Sequence, residues 1–201
     1  STHTIHRKGF YSMAIITREK EQLLMERAGK AYDQAIQLLK MMDEAVQDLA
    51  FKNDPENRYD TWITLARFDN ILQLILLHMA VSDGGISPRE RKFIQQIVKY
   101  GDLLDYLRQQ DKEEDGLTWD KLAKMNPSKQ AMVVQLLTPR LERLCDAFVK
   151  PLAILDGMVK DEDFLKLLLG NVSAICACMS YMDGVSSKKE ANACYDIGYQ
   201  L

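Results

Sequence analysis

Apolar residues recur at alternating spacings of four and three along the first part of the chain. Between Thr17 and Phe51 they form a heptad seam, whose members are Leu24, Ala28, Ala31, Ala35, Leu38, Met42, Ala45 and Leu49. This spacing predicts one long α-helix with an apolar stripe. Two interpretations stay open: the stripe packs on the rest of its own domain, or its alanines let a partner helix approach for dimerisation or docking.

Breaks in the pattern predict two further helices. Residues 53–57, Asn-Asp-Pro-Glu-Asn, end the first helix, and a second is predicted from Trp62 to about Ser82. It becomes apolar on every face, which is typical of a central helix. A third is predicted over 88–110, with a bend near Gly101. Its inner stripe contains Phe93, Ile94, Ile97 and Val98.

The second half of the chain predicts shorter helices and then another apolar one. After a charged loop at 111–116, a short helix is predicted over 118–124. Further starts are predicted near Ser128 and at Thr138-Pro139, with a break or kink at Pro151. The last unit begins near Asp161-Glu162-Asp163, continues over 165–182, and is followed by a closing helix over about 188–199.

Composition supports an all-α class and limits the function. The chain has 201 residues, 47% hydrophobic and 27% charged, with only 10 Gly and 5 Pro. A net charge of −3 argues against nucleic acid as a partner. Four cysteines without Cys-x-x-Cys spacing, and no secretory signal, predict a reduced protein of the cytoplasm. The apolar stretch at 71–81 is too short to span a membrane.

The pattern Asp-Gly-x-x-Ser-x-x-Glu occurs twice, at 83–90 and at 183–190, with the copies 100 residues apart. Each copy follows one apolar helical run and precedes another. The same offset aligns Ile75 with Ile175, so the match extends into core positions. The sequence therefore predicts a multi-helix bundle of two related helix-turn-helix units with an added long N-terminal helix.

Helix capping explains most of this pattern without any ligand. The glycine can end one helix in a left-handed conformation, and the serine and glutamate can form a capping box on the next. The aspartates, Asp83 and Asp183, are different because a carboxylate at a helix C-terminus faces the negative end of the macrodipole. The compensating positive group could be the following helix, a nearby residue such as Arg89, Arg91, Lys188 or Lys189, or a bound cation.

A metal site is the alternative to pure capping. The pattern coincides with the later half of an EF-hand loop, but Met79 and Val81 stand where the first oxygen ligands belong. One half-loop would bind calcium weakly. If the two turns converge, four carboxylates could share one divalent cation, most compatibly calcium; they are Asp83, Glu90, Asp183 and Glu190. A softer site at His78, Cys176 and Cys178 is the weaker alternative, since these residues suit an apolar core.

Residues 77–90, Leu-His-Met-Ala-Val-Ser-Asp-Gly-Gly-Ile-Ser-Pro-Arg-Glu, resemble the signature of the tellurite-resistance TerB-like family. The second copy differs in having Ser186 where the family has an aliphatic residue. The resemblance covers about 62–201. It implies a helical domain with acidic residues proposed to engage metal ions, found in bacterial stress-response systems linked to tellurite and to membrane-associated complexes.

These observations predict three segments and no catalysis. Residues 1–16 are expected to be a flexible tail, 17–52 a long helix packed on the domain, and 57–201 the TerB-like domain, with units at about 62–110 and 161–201. The chain has no His-Glu-x-x-His or phosphate-binding glycine motif, and His78 is its only histidine outside the tail. We expect a protein partner, and a homodimer through the N-terminal helix is one alternative. A helical adaptor whose turns are only caps is the competing function.

Overall fold

The computed structural model describes residues 16–53, 61–82, 84–111, 116–140, 143 and 163–183. The described residues are helical and contain no strand, which confirms the all-α class. The helices are α1 (Arg18–Asn53), α2 (Thr61–Ser82), α3 (Pro88–Ile97), α4 (Leu103–Asp111), α5 (Trp119–Lys124), α6 (Pro127–Leu136) and α7 (Phe164–Ser180). Residues 1–15 of the predicted tail, residues 112–115 of the predicted loop at 111–116 and the predicted closing helix at 188–199 lie outside these residues.

Helix α1 packs most extensively against α7 and also contacts α2 and α3. Its heptad seam is covered by these helices. Ala28 and Ala35 are 0% exposed, and Leu38 is half-buried. Seam positions 45 and 49 lie outside the described side chains. Small side chains along this seam allow close helix packing, and α7 of the same chain is the helix that α1 contacts most extensively.

Helix α2 is central and contacts α1, α3, α4, α6 and α7. Among the described residues, the stretch Thr64–Ser82 is long and apolar enough to cross a membrane by length and composition, with a mean hydropathy of 1.2. Within the protein, 78% of that stretch is buried. A core helix of a bundle has the same properties, and its burial here is the expected consequence of an apolar surface on every face.

The prediction of a single bent helix over 88–110 is wrong. Helix α3 ends at Ile97 and α4 begins at Leu103, and the backbone at Val98 is extended, with φ −90° and ψ 150°. The amides that follow Val98 donate to the buried carboxylate of Asp69 on α2 instead of to helical carbonyls. A long-range partner therefore interrupts a segment whose local pattern favours continuous helix.

The later helices begin with side-chain caps at or close to their predicted starts. Thr118 caps α5 by accepting from the amide of Lys121 at 3.1 Å, and Asp163 caps α7 by accepting from that of Lys166 at 2.9 Å. The start predicted near Ser128 occurs two residues earlier, with Asn126 as the cap. Residues 138–140 are helical, while the predicted break at Pro151 lies outside the described part of the chain.

Candidate functional site

The first acidic turn has the capping geometry that its sequence predicts. Gly84 has a φ of +123°, which favours glycine. The Ser87 hydroxyl accepts from the Glu90 amide at 3.1 Å, and the Glu90 carboxylate accepts from the Ser87 amide at 3.0 Å. Pro88 occupies the first turn of α3, where its missing N–H costs nothing. The capping prediction is confirmed for this copy.

A buried glutamine of α6 holds the turn against the bundle. Gln130 is 2% exposed; its Oε1 accepts from the Ile86 amide at 2.9 Å, and its Nε2 donates to the Leu122 carbonyl at 2.9 Å. A Cβ on Gly85 would lie 3.1 Å from both Gln130 Oε1 and a Pro127 ring carbon. The turn, α5 and α6 are thus joined by one side chain, which sequence reasoning did not identify because the contact spans 44 residues.

A hydrogen bond between side chains joins the first acidic turn to Asp183, the first residue of the second copy of the motif. The Ser87 hydroxyl donates to Asp183 Oδ1 at 3.2 Å, although the residues are 96 positions apart. Asp183 is exposed and follows the C-terminal end of α7, where Tyr181 is the cap. The Ser87 hydroxyl accepts a hydrogen bond from the Glu90 amide of α3 and donates one to the Asp183 carboxylate, so it serves as a partner to both groups.

The four predicted metal ligands differ in exposure and in hydrogen-bond partners, and two of them are not described by the structure. Asp183 is exposed beside Ser87, whereas Glu90 is 3% exposed and uses one oxygen in the capping box. Asp83 and Glu190 lie outside the described residues. Among the residues that are described, no group of three or more His, Cys, Asp or Glu side chains is arranged to hold a metal ion.

The basic residues of α3 have carboxylate neighbours on other elements. Arg89 Nε lies 3.8 Å and Lys92 Nζ 4.0 Å from the carboxylate of Glu21 on α1. The guanidinium of Arg91 donates to Asp120 on α5 at 2.6 Å. Two of the cations predicted to compensate the turn aspartates therefore have acidic neighbours elsewhere, while Lys188 and Lys189 lie outside the described residues.

A second polar cluster lies in the core around Asp69, which is 0% exposed. Its Oδ1 accepts from the Tyr32 hydroxyl at 2.7 Å, and its Oδ2 accepts from the amides of Tyr100 at 2.6 Å and Gly101 at 2.9 Å. The Lys99 amide donates both to Oδ2 at 3.2 Å and to the Tyr32 oxygen at 3.1 Å. This cluster ties α1, α2 and the α3–α4 connection together.

Burial governs the protonation of this cluster. Desolvation raises the pKa of the Asp69 carboxyl, although the hydrogen bonds from Tyr32 and the three amides act in the opposite direction. Burial also raises the pKa of the Tyr32 hydroxyl, and the neighbouring carboxylate adds to this effect. The hydroxyl therefore stays protonated and continues to donate.

The sequence carries a signal for this cluster, although no motif includes it. Asp69 and Gln73 are polar residues spaced four apart in a helix that is largely apolar. Such residues share one helix face. Gln73 does extend the cluster: its Nε2 donates to the Ile94 carbonyl at 3.0 Å and its Oε1 accepts from the Leu103 amide at 2.7 Å.

The residues of the softer metal alternative have other neighbours. His78 Nε2 lies 3.1 Å from the Thr138 hydroxyl, and burial lowers the pKa of its imidazole. Cys176 and Cys178 are buried free cysteines of α7, and burial raises the pKa of the Cys178 thiol. These are properties of residues in a helical core.

In comparisons with known proteins, no family model, no curated protein and no solved structure matches this chain.

Proposed function

We propose that this chain is a non-catalytic, TerB-like helical domain that binds a divalent cation, a protein partner or both through its paired acidic turns. It would act in the cytoplasm in the response to metal or oxyanion stress, including tellurite. The two-unit architecture belongs to this proposal, with α2, the first turn and α3 as one unit and α7 with the second turn as the start of the other.

The observation that carries the proposal is the hydrogen bond from Ser87 to Asp183. The repeated motif suggests a joint site only if its two copies lie side by side, and the 3.2 Å contact between Ser87 and Asp183 supports this arrangement. Turns that served only as caps could lie anywhere on the bundle. The contact between Ser87 and Asp183, across 96 positions, supports a shared surface.

Helix electrostatics favour a cation at this surface. Asp183 follows α7, whose free carbonyl groups give its C-terminus a partial negative charge. Its hydrogen-bonding neighbour is Ser87, the N-cap of α3, so the partial positive charge of that helix end offsets only part of the carboxylate charge. A divalent cation or a basic group of a partner would offset both the carboxylate and the helix end.

Calcium is the ion most compatible with the ligand chemistry of the motif. It takes six to eight oxygen ligands, often including carboxylates and backbone carbonyls. Asp183 and the Ser87 hydroxyl would contribute oxygens directly, and Asp83 and Glu190 are proposed to add carboxylates. Glu90 would act mainly by holding the turn, because one of its oxygens accepts from the Ser87 amide.

The adaptor function is the second candidate, and the capping box at Ser87 and Glu90 favours it. In this alternative both turns are structural and the α1 helix recruits a partner. The burial of Ala28, Ala31 and Ala35 means that the recruiting face would have to lie outside the heptad seam. Glutamate substitutions at these buried positions would disrupt the packing of α1, so they cannot separate the adaptor function from the cation-binding function.

A metal titration tests the proposal. We expect calcium, manganese or zinc to raise the melting temperature of the wild type and to give a saturable heat of binding. The double variant Asp83→Asn, Asp183→Asn should lose both responses while keeping its helical circular dichroism spectrum. The matched control is Asp33→Asn, Asp105→Asn, which removes the same charge from exposed sites on α1 and α4.

The results separate the candidates. A response in the wild type and in the control variant, but not in the turn variant, supports the cation site. If none of the three ions gives heat or a thermal shift with the wild type, the cation function is wrong and the adaptor remains. An equal loss in the control variant would mean that general surface charge explains the effect.

A further inference from the structure

We propose that the outer face of α6 binds an acidic amphipathic helix of a protein partner. The buried residues of α6, Gln130 and Val134, lie on its other side. The outer face consists of exposed residues that recur at spacings of three and four: Ser128, Lys129, Met132, Gln135, Leu136 and Pro139. None of them belongs to the acidic turns, so the inference does not depend on cation binding there.

Two large apolar side chains are exposed next to each other on this face. Met132 is 59% and Leu136 is 72% exposed, and they are the two most exposed large hydrophobic residues among the described side chains. Residues four apart are neighbours on the surface of a helix. Single exposed apolar residues are common in proteins, whereas contiguous ones indicate an interaction surface.

Charge identifies the class of partner. Residues 121–140 contain four Lys or Arg residues and no Asp or Glu, although the net charge of the chain is −3. Lys124, at the end of α5, and Lys129 are exposed, and neither forms an ion pair within the described part of the chain. They differ in this respect from Arg91, which pairs with Asp120. An acidic partner would therefore meet positive charge that no described carboxylate neutralises.

Helix α6 is held firmly enough to present this face without rearrangement. The Asn126 side chain caps it by accepting from the Lys129 amide at 2.8 Å, and Gln130 joins it to the Leu122 carbonyl and to the first acidic turn. Its ten residues span about 15 Å. A partner helix of similar length could pack along this ridge.

Helix packing explains how both features of the face would be used. Leucine or isoleucine on the partner helix would contact Met132 and Leu136, and glutamates on both sides of that apolar stripe would lie beside the lysines. Charged positions flank an apolar seam in the same way where two helices pair in a coiled coil. The flexible side chain of methionine adapts readily to such a contact.

The same face is poorly suited to a membrane or a nucleic acid. The net charge of −3 opposes approach to anionic headgroups or to a phosphate backbone. The outer face also has no aromatic side chain, so it offers neither a platform for base stacking nor an anchor at the level of the headgroups. A protein helix uses both the apolar pair and the lysines.

A titration of the full chain with a helical peptide tests the inference. The probe carries leucine along one face and glutamate on both sides of it. We expect saturable changes in the amide chemical shifts of α6 in the nitrogen–proton correlation spectrum. The variant Met132→Gln, Leu136→Gln should weaken binding by about tenfold or more, because the apolar anchors are lost. Its matched control, Met41→Gln, Leu167→Gln, changes the same residue types at positions 52% and 54% exposed and should alter affinity by less than about twofold.

A second pair of variants tests the role of charge. Lys124→Glu, Lys129→Glu should weaken binding by about tenfold or more, because it places like charges at the contact. Lys20→Glu, Lys30→Glu makes the same change in net charge at exposed positions of α1 and should alter affinity by less than about twofold. A peptide with lysine in place of glutamate should give no saturable shifts with the wild type.

The outcomes decide between the possible occupants of this face. The inference is overturned if the acidic peptide causes no shifts on α6, or if the control variants weaken binding as much as the variants of α6 and of its flanking lysines do. It is also overturned if vesicles of anionic phospholipid shift α6 and the peptide does not, or if the chain forms a dimer that Met132→Gln, Leu136→Gln abolishes. The titration contains a chelator and no divalent ion, so its failure is distinct from a failure of the cation proposal.

Discussion

The buried carboxylate of Asp69 is the most connected polar group among the described residues. It accepts from one hydroxyl and three backbone amides, and it joins a residue 37 positions earlier in the sequence to residues 30 to 32 positions later. A buried acceptor with this many donors specifies a structure, because every alternative packing would leave amides without a partner. Its role is therefore architectural.

Substitution of Asp69 tests this role. We expect Asp69→Asn to lower the free energy of unfolding by about 2–3 kcal/mol, because a charged acceptor is lost and an amide NH₂ faces backbone donors. Urea denaturation followed by circular dichroism measures the change. Tyr32→Phe is the matched control, with an expected loss of about 1 kcal/mol, since the three amides still have their acceptor. Equal losses in both variants would contradict the assignment.

At the scale of elements, the break between α3 and α4 positions the acidic turn. Because α3 stops at Ile97, it is a short helix whose N-terminus carries the turn and whose C-terminus is held by Asp69 and Gln73. The connection runs close to α2: a Cβ on Gly101 would lie 2.7 Å from the Ala66 carbonyl oxygen. Glycine is required here by close backbone approach.

A pair of alanine substitutions tests this approach. Gly101→Ala should destabilise the protein by about 2 kcal/mol, because the connection must move away from α2. Gly29→Ala is the control; it lies inside α1 with nothing within 4 Å of the added Cβ. It should stabilise by about 0.5–1 kcal/mol through better helix propensity. Thermal and urea unfolding measure both, and a neutral Gly101→Ala would rule out the close approach.

Local sequence patterns are sufficient to predict the helices but not the long-range contacts that hold their connections. Apolar periodicity and caps predicted α1, α2 and α5 to within a few residues, and Ser87 with Glu90 predicted the start of α3. The end of α3 was missed because its cause, Asp69, lies about thirty residues away. The anchoring of the turn by Gln130 was missed for the same reason, since hydrophobic pattern contains no information on such partners.

At the scale of the whole molecule, the contact between Ser87 and Asp183 joins the first acidic turn to the first residue of the second copy. The repeat in the sequence left open whether the two copies converge, and the packing of α7 against α1 and α2 carries Asp183 to this position. The contact is exposed, so it should contribute little to the free energy of unfolding, although it places two residues 96 positions apart side by side.

A double-mutant cycle measures this contact. Ser87→Ala should cost about 1 kcal/mol through loss of the α3 cap, and its coupling to Asp183→Ala should be about 0.5 kcal/mol. Thr118→Ala removes the cap of α5 without a long-range partner, so its coupling to Asp183→Ala should be close to zero. Urea unfolding of the six proteins provides the values, and equal couplings in both cycles would contradict a specific contact.

The span of the Ser87–Asp183 hydrogen bond also determines when it can form during folding. It closes a chain segment of 96 positions, and the entropy lost in such a closure is recovered only after the intervening helices have docked. The contact between Ser87 and Asp183 should therefore be among the last features to appear during refolding. A nascent or partly folded chain would have its helices before it had this contact, so a ligand that needs both residues would bind only the folded molecule.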